Sequence, residues 1–121
     1  MTQKGPERPI HWVGSSLDDL RSFPEAVQDV MGYALYLAQC GERQKAMKPL
    51  RGSLRGMMQV SDSHQGNAYR MVYTNKLPDA LYVLHTFQKK AKHRMATPRT
   101  EVELIQRRYR LALEHHRSKG G

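Results

Sequence analysis

The chain has 121 residues, 20 Lys and Arg against 11 Asp and Glu, a formal charge of +9, and one cysteine, Cys40. One cysteine excludes a disulfide framework or a cysteine-based zinc site within a single chain. No apolar run approaches the roughly 20 residues of a membrane span, and the first residues hold no apolar signal core, so the expectation is a cytoplasmic domain with its own core.

Residues 1–8 read as a flexible tail. Residues 9–13 read as a short first strand ending at Gly14. Ser15 and Ser16 followed by Asp18 and Asp19 read as a helix start, with a serine cap and acids in the first turn. Pro24 ends that helix and opens the next. There Val27, Val30, Met31, Ala34, Leu35 and Ala38 recur at helical spacing, Tyr33, Tyr36 and Leu37 broaden the stripe, and Gly41 closes it.

Residues 42–56 read as a basic, glycine-containing connector. Residues 56–60 read as a second strand and 61–66 as a loop. Residues 69–74 and 81–87 are apolar runs flanking a turn with Pro78 and Asp79, which predicts two further strands. Residues 88–99 form a second basic connector. Thr100 and Glu103 have capping-box spacing for a last helix, with Val102, Ile105, Tyr109 and Ala112 on one face and Arg107, Arg108 and Arg110 largely off it. Residues 117–121 read as a second tail. The order β-α-α-β-β-β-α over residues 9–116 predicts a small α+β domain. Its antiparallel sheet has about four strands, with an N-terminal helical hairpin and a C-terminal helix.

The charge is uneven. Residues 1–42 carry six acids and three bases, whereas residues 43–99 carry twelve bases and two acids. A localised excess of this kind implies a polyanionic partner, nucleic acid ahead of a membrane surface.

No metal constellation is visible: His11, His64, His85 and His93 are scattered, and the adjacent His115 and His116 diverge on a helix. No glycine loop has phosphate-cradling spacing. The basic region holds no paired acids, which argues against two-metal nuclease chemistry. A metal-free, cofactor-free route to phosphodiester cleavage stays open. RNA supplies its own 2′-hydroxyl, so a protein need only orient it, stabilise charge on the phosphate and help protons move. Arginine can clamp a phosphate bidentately, and a lysine crowded by cations can serve in proton transfer.

Four residues are candidates for catalysis: Arg70, Lys89, Lys90 and His85. Arg70 is mid-strand on the face opposite Tyr69 and Met71, and is either an exposed-face arginine or a phosphate clamp. Lys89 and Lys90, just past the last strand, are either a solvated strand end or catalytic cations. His85 shares the face of Phe87 and is either a core or edge histidine or a catalyst. Lys45, Lys48, Arg51, Arg55, Lys92 and Arg94 are candidates for RNA binding.

Several stretches across roughly residues 9–113 resemble one family. They are IHWVGSSLDDLRSFPEAV, GYALYLAQCGE, KPLRG, the YR…VY strand, YVLHTFQKK and TPRTEVELI. The resemblance is to the phage-derived branch of the RelE/HigB toxins, within the RelE/ParE superfamily of type II toxin–antitoxin systems. LH-x-F-x-KK followed by T-P-x-x-E is its most specific element. The resemblance implies a RelE-like fold and an endoribonuclease that cleaves messenger RNA on the ribosome by metal-independent 2′-hydroxyl attack. It also implies silencing by a cognate antitoxin, a HigA-like helix-turn-helix protein, and no membrane partner. It places Arg70 at the phosphate, Lys48 and Arg51 on messenger or ribosomal RNA, and Lys89 and Lys90 where a further catalytic cation stands. The chain departs from the family pattern at Gln59 and Ser61, where relatives often carry Glu and Arg. Two other functions suit the same fold: a ParE-like toxin that inhibits DNA gyrase or topoisomerase, and a non-catalytic nucleic-acid-binding module.

Overall fold

Alternation along a strand sends Tyr69, Met71 and Tyr73 to one face of a sheet and Arg70 and Val72 to the other. In the computed structural model, which describes residues 8–89 and 97–120, both faces are covered by helices. The elements run β1 (Ile10–Trp12), α1 (Ser16–Arg21), α2 (Glu25–Gln39), β2 (Met47–Pro49), β3 (Met58–His64), β4 (Asn67–Thr74), β5 (Leu81–Lys89) and α3 (Arg99–Gly120). A single 3-10 turn, Gly52–Leu54, separates β2 from β3. The five strands form one sheet in the order β1-β5-β4-β3-β2. All neighbours are antiparallel except β1, which runs parallel to β5 with Ile10 opposite Leu81.

The α+β class and the helix placement expected from sequence stand. The sheet has one strand more than expected, and it is mixed.

α1 and α2 cover one face. Leu20, Phe23, Val27, Met31 and Leu35 pack there against Met58, Val60, Met71, Tyr73 and Val83. α3 covers part of the other, packing Ile105 and Ala112 against Val72, Tyr82, Leu84 and Phe87, with Leu54 and Met57 closing the layer. Each fully buried side chain of this size contributes roughly 1.5–3 kcal/mol. The α2 stripe is narrower than expected: Val30, Tyr33 and Tyr36 are 37%, 61% and 43% exposed, and face solvent.

Three strand boundaries correct the sequence reading. Residues 61–64, read as a loop, continue β3, because β3 and β4 are joined by the two-residue turn Gln65–Gly66. Both turn residues have positive φ (51° and 82°), the handedness that matches the twist of a hairpin. β2 lies inside the segment read as a connector, pairing Lys48 with Gln59. β5 runs on to Lys89, so that lysine is on the strand rather than past it.

The expected caps also differ. The Ser15 hydroxyl donates to Asp19 Oδ2 at 2.8 Å instead of capping a backbone amide. α3 begins at Arg99, with the Val102 amide donating to the Pro98 carbonyl, so Thr100 lies inside the helix and the capping box does not form. α3 continues to Gly120, through most of the stretch read as a C-terminal tail. No helix among the described residues is long and apolar enough to cross a membrane.

Candidate functional site

The register of β2 to β5 lays out the α3-side face of the sheet in rows. One row crosses Lys48, Gln59, Val72 and His85; the next crosses Ser61, Arg70 and Phe87; the third crosses Ser63, Ala68 and Lys89. Lys48, Arg70, His85 and Lys89 therefore share one face. Arg70 is a diagonal neighbour of both His85 and Lys89, at roughly 7–8 Å between backbones. No side chain in these rows is acidic; Asp62, the acid of β3, alternates to the opposite face.

Arg70 is 7% exposed and Lys89 5%, so each is held against the sheet rather than waving in solvent. Burial lowers the Arg70 pKa, yet an arginine stays charged across the working range. Beside them, Gln59 Nε2 reaches Ser61 Oγ at 3.4 Å, while Gln59 Oε1 is buried without a hydrogen-bond partner among the described residues.

His85 is fixed on three sides. Its Nε2 lies 2.5 Å from Glu101 Oε1 in the first turn of α3. Its ring stacks on Phe87, with centroids 4.7 Å apart and planes at 14°. Arg108 Nη1 approaches Nδ1 at 3.4 Å and donates to the Leu84 carbonyl at 3.0 Å. A guanidinium can only donate, so Nδ1 accepts, and the proton of the neutral ring sits on Nε2, donating to Glu101. Burial pushes the His85 pKa below its ordinary 6.5, and the neighbouring Glu101 carboxylate opposes the shift without cancelling it. A neutral imidazole with a carboxylate on one nitrogen and a lone pair on the other has the arrangement of an oriented proton acceptor.

Arg108 was expected to lie off the apolar face of α3, and it reaches across to the sheet and to α1. Its Nη2 donates to Ser15 Oγ at 3.1 Å, and its guanidinium lies where a side chain on residue 14 would stand. Gly14 has φ +59°, and a Cβ there would meet the guanidinium at 2.8 Å. Only glycine meets both conditions. Arg108 thus runs from the Leu84 carbonyl and His85 through Ser15 to Asp19.

Sequence reasoning missed both Glu101 and Arg108. The T-P-x-x-E pattern marked a helix start near Glu101, but nothing local placed its carboxylate on a histidine sixteen residues earlier.

The opposite end of the same sheet face is closed. His115 Nδ1 lies 3.1 Å from the Tyr82 hydroxyl, and its ring stacks on His11 at 4.0 Å. His116 Nδ1 pairs with Asp79 Oδ1 at 2.5 Å, and the Tyr82 hydroxyl also donates to Asp79 Oδ2 at 3.3 Å. Burial raises the Asp79 pKa, but hydrogen bonds from His116, the backbone and Tyr82 outweigh it and leave the pKa below the ordinary 3.8.

The remaining candidates are dispersed. Lys45, Arg51 and Arg55 are exposed on the segments flanking β2, off the strand rows. Lys90, Lys92 and Arg94 lie outside the described residues. The mid-chain charge is therefore not carried mainly by the sheet: among the described residues of 43–99, only Lys48, Arg70 and Lys89 are basic strand positions.

A search of solved structures finds the fold in a chain of the RelBE2 toxin–antitoxin complex from Mycobacterium tuberculosis. It is 17% identical, with a TM-score of 0.50, covering 69% of this chain and 99% of that one. Identity this low supports the fold alone. A search of curated proteins finds no match. The family described as phage derived protein Gp49-like (DUF891) matches residues 18–110, from α1 into α3, and so takes in β2 to β5 with Arg70, His85, Lys89, Glu101 and Arg108. On that match over most of its length, the chain belongs to the phage-derived Gp49-like family.

Proposed function

We propose that this protein is the toxin of a toxin–antitoxin pair and an endoribonuclease that cuts messenger RNA on the ribosome by metal-independent 2′-hydroxyl attack. One observation carries the reading: the strand register gathers Lys48, Arg70, His85 and Lys89 on one face, in adjacent rows without an acid. Arg70 clamps the scissile phosphate and stabilises the charge that builds on it. Lys89, with Lys90 beyond it, adds a second cation, and Lys48 holds the strand two rungs across the sheet. His85, oriented by Glu101, accepts the 2′-hydroxyl proton through Nδ1 once Arg108 yields to substrate; in relatives with a Glu in β3 that carboxylate stands where Gln59 stands here.

An antitoxin of HigA-like type silences it, in keeping with the RelBE2 toxin–antitoxin complex, which contains a chain of this fold. The test is a translation reaction with a defined messenger, comparing wild type with Arg70→Ala and mapping cuts by primer extension. Cuts within the translated frame that vanish in the mutant are expected. An intact messenger beside folded wild-type protein would overturn the reading and direct attention to gyrase inhibition.

A further inference from the structure

β1 pairs with β5 only from Leu81 to Val83, so no strand among the described residues lies against the outer edge of residues 84–89. The α1–α2 corner stands beside that edge and leaves a cleft of about 280 Å³. Phe23, Tyr69 and Phe87 contribute its aromatic wall with His85 beside them, and Asp19, Ser22, Thr86 and Gln88 its polar one. Phe87 is the register partner of Arg70, and Tyr69 precedes Arg70 on β4, so the cleft adjoins the Arg70 position.

The polar lining has a definite sense. The Ser22 hydroxyl already donates to the Asp19 carbonyl at 2.6 Å, and the Thr86 hydroxyl to the Ser16 carbonyl at 2.7 Å. Their protons are committed, and their oxygen lone pairs remain. The Asp19 carboxylate is an acceptor only, with one oxygen receiving the Ser15 hydroxyl. Apart from the exposed Gln88 amide and the Tyr69 hydroxyl, the polar groups of the lining therefore ask for donors, since the His85 Nε2 proton is already given to Glu101.

A single unstacked nucleobase is recognised by apolar contact on its face and hydrogen bonds along its edge. Guanine is the RNA base whose pairing edge offers a ring N–H and an amino group side by side, the match for a carboxylate. Adenine and cytosine present an acceptor next to their amino group, and uracil has no amino group.

We propose that this cleft is a guanine-binding subsite, holding the base of a nucleotide adjacent to the phosphate on Arg70, with Asp19 as the reading group. This rests on the ribonuclease reading for its biological meaning, but not for its test. Isotope-labelled full-length protein is titrated with each of the four nucleoside 3′-monophosphates, following the backbone amides of Asp19, Ser22 and Gln88. Guanosine 3′-monophosphate is expected to shift them saturably and to bind at least about tenfold more tightly than the uridine compound, a difference of about 1.4 kcal/mol. Asp19→Asn should abolish the preference. Ser22→Ala, which leaves the Ser15–Asp19 contact alone, should weaken it and guards against misfolding of the first variant.

Equal shifts from all four nucleotides, or none at the cleft, would overturn the subsite whether or not messenger is cut. Guanosine-selective shifts without messenger cleavage would keep the subsite and overturn the ribonuclease. Where cleavage occurs, guanine should be enriched beside the cut in wild type and not in Asp19→Asn; cuts without base preference would also overturn the proposal.

Discussion

The two ends of one sheet face use similar residues in opposite ways. At the Tyr82 end, His11, His115, His116 and Asp79 satisfy one another and tie the last turns of α3 to β1 and the β4–β5 turn. At the Arg70 end, cations are set in rows that contain no acid, and the one histidine is held in a single tautomer by residues outside the rows. A polar cluster that completes itself serves stability. One that gathers a single sign of charge in adjacent rows of a sheet suits an anionic partner.

The largest expected effect falls on the Arg70 end alone. Arg70→Ala should reduce messenger cleavage by about 100-fold or more, the scale for removing a donor aimed at developing charge, while thermal unfolding stays cooperative. Arg70→Lys should recover only part of the rate, because it keeps the charge and loses the fork.

Glu101→Gln comes next, with an expected loss of roughly tenfold to a hundredfold in turnover and little change in apparent substrate affinity. Its diagnostic is a pH profile. Glu101 opposes the burial that depresses His85, so removing its charge should move the His85 titration further down, as followed by the ring proton resonances. An unmoved titration would make the contact a packing feature only.

His85 also predicts a stability trend. Its folded pKa lies below the ordinary 6.5, so the unfolded chain takes up the proton first. The stability tied to the neutral ring is full above about 6.5 and is lost as pH falls through the folded value. Urea midpoints should drop as pH falls below about 6.5, and His85→Gln should flatten that part of the curve.

Gly14→Ala tests how far the two ends are mechanically separate. It strains a left-handed backbone and displaces the Arg108 guanidinium, so it should cost about 1–2 kcal/mol in chemical denaturation and lower activity through the loosened His85. Asp79→Asn, the smallest effect, should cost under about 1 kcal/mol, as for other partly exposed ion pairs, and leave cleavage unchanged. A comparable loss of activity from Asp79→Asn would erase the contrast between the ends.

What was legible in the sequence follows from how each signal is written. β4, β5 and α2 carry their periodicity in apolar residues, so alternation and helical spacing reveal them, and with them the opposite facing of Arg70 and Tyr69. β2 and the outer half of β3 do not. Lys48 and Pro49, and the stretch from Ser61 to His64, have turn-like composition, and backbone pairing to a neighbour places them in the sheet. Residue type alone nominated Arg70, His85, Lys48 and Lys89. Their sharing of one face needed the register, and the register needed the Gln65–Gly66 turn. The Glu101 and Arg108 contacts span long stretches of chain and leave no local pattern; Arg108 depends on the missing side chain of a glycine 94 positions earlier.

The parallel pairing of β1 with β5 sets a schedule for the molecule's birth. A chain emerging amino end first exposes β1 before β2, β3 and β4, yet its partner β5 is made only after all of them. Until Leu81–Lys89 has left the ribosome, Arg70 has no Phe87 beside it; until α3 follows, His85 has no Glu101. A growing chain therefore holds β1, Arg70 and His85 before it holds the elements that fix them in place.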